Sequence, residues 1–311
     1  MVGIPLLLAM IAVVTISWFD QTSGTIVTSG ERREFLLHVP DSYDPTTTTP
    51  LIISLHAGAT WPAHQMNLSR WNQLADEHGF IVVYPAGIPE IFNAARIWQP
   101  TPEGVLNDSE FISTLIDMLI AQYNIDETRI YANGMSMGGG MAFALSCTLS
   151  DRIAAIGMVA AAQALPFSWC PTKRPAPLIA FHGTADVMVP YQGGPLGDIF
   201  NPVKPVYPPV REFTANWARR NRCASDPAET PVAADVIRLE YRGCAEEAHV
   251  VLYTILGGGH SWPGGKPPPQ WRVGTTSNSI DATREMWTFF QNHALTQRGS
   301  SSITQPLGDP E

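Results

Sequence analysis

The chain has 311 residues, 45% hydrophobic and only 15% charged, with 27 prolines, 25 glycines and a net charge of −9. Charge this far below the roughly one quarter of an average soluble domain, with so much Pro and Gly, describes a loop-rich globule and excludes a disordered chain or a coiled coil. The acidic balance argues against nucleic acid as a partner, and without a Lys/Arg run, P-loop, G-x-G-x-x-G, H-E-x-x-H or C-x-x-C, neither nucleotide nor metal chemistry has support and no cofactor is expected.

Residues 1–19 are apolar up to the first charge at Asp20. This segment reads as a secretory signal over residues 1–22, although a basic n-region and an A-x-A site are missing. A retained membrane anchor is the alternative, and either places the catalytic domain outside the cytoplasm. Residues 24–29 and 33–39 then read as two antiparallel strands. The apolar runs 51–55 and 80–84 read as buried strands, with a helical stretch over 71–78 between them. Phe111, Ile112, Leu115, Ile116, Leu119 and Ile120 recur at helical spacing within 109–123. Strand 129–133, helix 138–148 and strands 155–160 and 177–181 continue the alternation. Clustered Gly and Pro break the pattern from Tyr191 to Pro209, leaving open a flap over the site or a long surface crossing. A helix with Phe213 and Trp217 follows, then an insert over 224–243 read as a closed loop, strand 249–255, helix 280–295 and a polar tail over 297–311. Strands alternating with helices predict an α/β fold over residues 23–296, its mostly parallel central sheet covered by helices on both faces.

Gly134-Met135-Ser136-Met137-Gly138 lies between the β-rich run 129–133 and the helix-forming stretch from Gly139. G-x-S-x-G on a strand–turn–helix exposes the serine hydroxyl and points the helix N-terminus at a developing oxyanion. Such a serine needs a base, and the base needs an orienting acid. Of eight histidines, His260 lies in a glycine-rich loop after strand 249–255, where it can swing toward a cleft; it is the candidate base. Asp186, in the turn-forming stretch after strand 177–181, is the candidate acid, against an Asx-turn cap as its plain alternative. Asp108 and Asp151 are its rivals, one read as preceding a helix and the other as following one. The order Ser136, Asp186, His260 is the order of α/β-hydrolases. The oxyanion donors expected are the backbone N–H groups of Met137 and of Gly58, in the loop after strand 51–55, with Ala59 next.

Cys147, Cys170, Cys223 and Cys244 allow three full pairings. Cys223 and Cys244 flank the polar insert, which favours 223–244 and leaves Cys147 to pair with Cys170. Disulfides suit export.

With these segments placed, the chain resembles the polyhydroxybutyrate depolymerase-like esterases, secreted α/β-hydrolases that include feruloyl and acetylxylan esterases. The resemblance is carried by Leu55-His56, Tyr84-Pro85, Asn107-Asp108, Tyr123-Asn124-Ile125-Asp126, Gly134-Met135-Ser136, His182-Gly183-Thr184-Ala185-Asp186 and Gly257-Gly258-Gly259-His260-Ser261-Trp262-Pro263-Gly264-Gly265, over roughly residues 30–295. It implies carboxylester hydrolysis through an acyl-enzyme, with Ser136, Asp186 and His260 in the matching positions, and it also supports the 223–244 bridge. The chain departs from the family at Ala57, where a glycine is usual, and at Met137, whose flexible side chain would make the acyl pocket more apolar. Trp61, Trp98 and Trp262 are candidates for a hydrophobic wall near the serine, with buried core aromatics as the alternative.

The expectation is therefore a secreted serine carboxylester hydrolase. Its substrate, a small-molecule or polymeric ester, is of the hydroxyalkanoate (polyhydroxybutyrate) type or, alternatively, a phenolic or acetyl ester on plant polysaccharide. A membrane enters only if the N-terminal segment is retained. A non-catalytic binding protein on the same scaffold would call for a damaged triad or oxyanion loop, and a peptidase for an added domain.

Overall fold

A computed structural model describes residues 22–89, 96–98, 101–163, 166–170, 174–195, 206–224 and 226–296. The N-terminal segment expected as a signal or anchor, up to residue 21, lies outside these residues. So do the tail 297–311 and the stretch 196–205 of the Gly/Pro-rich segment. Among the described residues no helix is long and apolar enough to cross a membrane.

The elements in chain order are β1 (Gly24–Thr28), β2 (Glu31–His38), β3 (Thr49–Leu55), α1 (Pro62–Ser69), α2 (Trp71–His78), β4 (Ile81–Pro85), β5 (Ile88–Pro89), β6 (Arg96–Ile97), α3 (Pro102–Gln122) and β7 (Ile125–Met135). There follow α4 (Met137–Thr148), β8 (Ala155–Val159), β9 (Leu178–Gly183), β10 (Gly194–Pro195), β11 (Val206–Tyr207), α5 (Val210–Arg220), β12 (Ala228–Ala233), β13 (Val236–Tyr241), β14 (Val250–Ile255), α6 (Gln270–Val273) and α7 (Ala282–Phe290). One sheet runs in the order β1-β2-β4-β3-β7-β8-β9-β14-β13-β12. Its centre, from β4 through β14, is parallel, and antiparallel strands flank it on both sides. This is the α/β-hydrolase fold.

The alternation of side chains along each strand builds two cores. On one face Leu51, Ile53 and Leu55 of β3 meet Phe111 and Ile112 of α3, Phe143 of α4 and Trp217 of α5. On the other, Ile52 meets Trp71 and Leu74 of α2, Leu68 of α1, and Met286 and Phe290 of α7. Fully burying one such Leu or Phe is worth about 2 kcal/mol, so the cores hold the central strands in register.

Several elements differ from the sequence reading. The α3 helix begins at Pro102, where the Thr101 side chain accepts the Gly104 N–H and proline occupies the first turn, so Asp108 lies within the helix rather than before it. There Asp108 is buried, with an Oδ1 2.8 Å from Arg33 Nη2, and Asp151 is exposed in the turn after α4; neither rival belongs to a catalytic group. The insert 224–243 is not a closed loop but carries the β12–β13 hairpin, which extends the sheet beyond β14. The disulfides Cys147–Cys170 and Cys223–Cys244 are both formed.

Candidate active site

The parallel strands β7, β9 and β14 end on the same edge of the sheet, and each delivers one candidate residue just beyond its carboxyl end, where open α/β sheets bind ligands. Ser136 is the single residue between β7 and α4. It has φ 54° and ψ −119°, a conformation an L-residue holds only under the constraint of its surroundings. Its N–H donates to the Val159 carbonyl at 2.9 Å and its own carbonyl accepts the Gly140 N–H at 3.0 Å. The flanking glycines are needed for close approach. A Cβ on Gly134 would lie 2.4 Å from the Gly138 carbonyl carbon, and one on Gly138 would lie 2.3 Å from the Leu55 carbonyl oxygen. Beneath this elbow the buried Asn133 Oδ1 accepts from Ser54 Oγ at 2.9 Å and Trp71 Nε1 at 3.0 Å, which ties β7 to β3 and α2.

Asp186 and His260 are brought together. The Asp186 Oδ2 accepts the His260 Nδ1–H at 2.8 Å, both residues being buried. Oδ1 accepts the N–H groups of Met188 and Val189, each at 2.9 Å. The aspartate thus serves as Asx-turn cap and as orienter, one oxygen for each. Burial raises its carboxyl pKa, but the His260 hydrogen bond, the His260 and His182 charges and the Val189 N–H outweigh that and hold it below the ordinary range. An ionised acceptor on Nδ1 fixes the tautomer of His260 and leaves the Nε2 lone pair for a proton. The His260 loop is laced to its neighbours: the Ala185 N–H donates to the Gly258 carbonyl at 2.9 Å and the His260 N–H to the Val273 carbonyl at 2.6 Å.

Two further histidines, passed over in the sequence reading, support this arrangement. His182 Nε2 donates to the Val189 carbonyl at 2.8 Å and lies 3.5 Å from Asp186 Oδ2. Burial lowers its pKa, against the opposing pull of the Asp186 charge and the Val189 carbonyl. The four-residue step from His182 to Asp186 across a strand end was the available signal. His56 Nδ1 donates to the Ala57 carbonyl at 2.7 Å while its Nε2 accepts the Gly87 N–H at 2.9 Å. The two bonds anchor the loop that carries Gly58.

Gly58 and Met137 are neighbours. A Cβ on Gly58 would meet the Met137 sulfur at 2.3 Å. Ala57, the departure from the family pattern, offers its carbonyl to both His56 and Thr60 Oγ1, the latter at 2.7 Å. The tryptophan wall needs correction. Trp262 is 0% exposed, with its indole N–H on Thr283 Oγ1 at 3.0 Å, because its side chain turns into the core beside α7. Trp98 is 2% exposed and its N–H bonds the His56 carbonyl at 2.9 Å, so it props the loop from below. Trp61, half-buried at the start of α1, is the one of the three that keeps solvent contact. Among the described residues no group of His, Cys, Asp and Glu could hold a metal ion.

Residues 35–164 match the family described as Esterase PHB depolymerase. The match covers under half of the chain and is similar in kind to the resemblance that the motifs carry. The matched span of this esterase family contains Gly58, Ser136 and Met137 and ends before Asp186. Among its relatives, a bifunctional acetylxylan esterase/xylanase of Neocallimastix patriciarum is 32% identical over 163 residues, 52% of this chain and 23% of that protein. Feruloyl esterase B of Piromyces equi is 29% identical over 238 residues, 75% of this chain and 44% of that protein. The chain thus spans less than half the length of either. The solved acetyl xylan esterase from Aspergillus awamori superposes with a TM-score of 0.60 at 14% identity, over 86% of this chain and 98% of that one. At that identity the likeness speaks to the α/β-hydrolase fold.

Proposed function

We propose that the chain is a serine carboxylester hydrolase acting through an acyl-enzyme. The observation that carries this reading is the buried 2.8 Å His260–Asp186 hydrogen bond at the same sheet edge as the strained Ser136 elbow. Ser136 Oγ attacks the ester carbonyl carbon while His260 Nε2 takes its proton. The Met137 and Gly58 N–H groups receive the oxyanion, His260 returns the proton to the departing alcohol, and water frees the acid by the same steps reversed. Asp186 keeps the ring oriented and stabilises the imidazolium.

Two substrate classes are consistent with this chemistry: hydroxyalkanoate esters or oligomers, and feruloyl or acetyl esters of plant polysaccharide. The family description favours the first, and the names of the relatives favour the second. Two disulfides support work outside the cytoplasm. The test is the initial rate of wild type and Ser136→Ala on p-nitrophenyl acetate, methyl ferulate and a soluble 3-hydroxybutyrate oligomer. Wild-type turnover with a loss of at least about a thousandfold in the variant is expected. A variant that retains wild-type rates would exclude Ser136 as the nucleophile.

A further inference from the structure

The loop from His56 to Thr60 holds a conformation that its residues would not choose by themselves. Ala59 has φ 53°, in the left-handed region where the Cβ of an L-residue crowds its own backbone. An alanine stays there only when surrounding contacts hold it. Two contacts converge on one atom of this loop. The Ala57 carbonyl accepts the His56 Nδ1–H and the Thr60 hydroxyl, each at 2.7 Å.

Fixing that carbonyl fixes the next N–H. The Ala57 C=O and the Gly58 N–H belong to one planar trans peptide unit, in which they point in opposite directions. The donors that hold the oxygen therefore turn the Gly58 N–H away from themselves. A single hydrogen bond would let the plane rock about it, and two donors on one oxygen stop that. The elbow is set closely against this loop: a Cβ on Gly138 would lie 2.5 Å from the His56 carbonyl oxygen. Rotation of the Ala57–Gly58 plane would thus change the aim of one N–H while the elbow stays where it is.

The two donors are themselves anchored. The His56 ring, held at Nε2 by the Gly87 N–H, also lies beside the Trp98 ring with centroids 5.1 Å apart. Thr60 stands two residues before α1, whose Gln65, Leu68 and Ser69 are buried. Gln65 Nε2 donates to Ser54 Oγ at 3.0 Å, which fastens α1 to β3 and so closes the loop at both ends.

We propose that Thr60 is a positioning residue for the oxyanion donor: its hydroxyl holds the Ala57–Gly58 peptide plane so that the Gly58 N–H meets the oxygen that becomes negative as Ser136 attacks. The inference rests on the esterase reading and adds to it a side chain that acts through the backbone without touching the substrate. Such a donor binds a developing oxyanion more strongly than a neutral ester carbonyl, so misaiming it costs turnover more than binding.

The test measures kcat and KM on p-nitrophenyl acetate for wild type, Thr60→Val and Thr60→Ser, with thermal unfolding to confirm that each variant folds. Valine keeps the shape and loses the donor, whereas serine keeps the donor. The expected result is a kcat about tenfold to a hundredfold lower in Thr60→Val with KM changed by less than about twofold, and a kcat within about threefold of wild type in Thr60→Ser. A second readout uses phenyl trifluoromethyl ketone. The Ser136 oxygen bonds to its carbonyl carbon, the Ser136 proton passes to His260, and the ketone oxygen takes the negative charge. Its inhibition constant should rise in Thr60→Val by about the factor by which kcat/KM falls, and return in Thr60→Ser. A role confined to stability would lower Tm and leave that constant unmoved. An unchanged kcat or inhibition constant in Thr60→Val, or a loss that Thr60→Ser does not recover, would overturn the proposal, and wild-type turnover in that case would leave the esterase reading standing. A wild type that neither cleaves the ester nor takes the ketone would remove that reading and the proposal with it.

Discussion

At the scale of single residues, the site depends on where protons sit. His182, His64 and His293 all have pKa values lowered chiefly by burial. The groups facing them are Asp186 and His260 for His182, Arg272 for His64, and His249 and Glu247 for His293. In the unfolded chain each titrates near 6.5. Below that pH the unfolded state binds protons that the native state refuses, so stability is complete above about pH 7 and falls as pH drops through 6.5 toward the folded values. The depressed carboxyl of Asp186 acts lower: its contribution is present above about pH 4 and is lost as pH falls through its folded value. Thermal unfolding followed from pH 7.5 to 5 should therefore show a steady decline in Tm, with a slope of at most about 1.4 kcal/mol per pH unit for each histidine. Replacing His293 by Gln should make the decline shallower. A flat profile would show that these rings are not held neutral by the fold.

At the scale of elements, the β12–β13 hairpin shows how local signals mislead. The β12 strand (Ala-Glu-Thr-Pro-Val-Ala) is almost wholly exposed and contains Pro231. A proline on an edge strand disturbs little, because the outer row of backbone groups is unpaired. Such a strand carries little hydrophobic alternation, so composition alone reads it as loop. The start of α3 hides for a related reason: Gly104, Asn107 and Asp108 are weak helix formers, and the Thr101 cap with Pro102 supplies what propensity lacks. The Cys223–Cys244 bridge spans a sequence separation of 21 and closes the segment that carries the hairpin. Opening it in a Cys223→Ser/Cys244→Ser variant should cost about 3 kcal/mol, read as a lower midpoint in guanidinium unfolding. The β9–β14 pairing that carries Asp186 and His260 is independent of that bridge, so esterase activity under folding conditions should persist. An unchanged midpoint would mean that the hairpin is held by the sheet alone.

At the scale of the whole molecule, the chain order of Ser136, Asp186 and His260 was legible because each follows its own parallel strand, and neighbouring parallel strands deliver their carboxyl ends to one edge. The glycines around Ser136 were legible for the same reason, since they mark backbone approaches that tolerate no Cβ. What sequence could not supply depends on tertiary packing. Trp262 lies two residues after His260 yet turns into the core, and Trp98 bonds the His56 carbonyl from a buried position. The support of His182 for Asp186 and the anchoring by His56 exist only once distant segments meet.

The account turns on Ser136 as a nucleophile activated by His260. The most direct measurement is peptide-resolved mass spectrometry after treatment with diethyl p-nitrophenyl phosphate, in which the attacking oxygen displaces p-nitrophenolate from phosphorus and leaves a stable diethylphosphoryl group. The account predicts one adduct, on Ser136, absent from Ser136→Ala and formed far more slowly in His260→Ala. An adduct on another residue, or unchanged labelling in either variant, would contradict it.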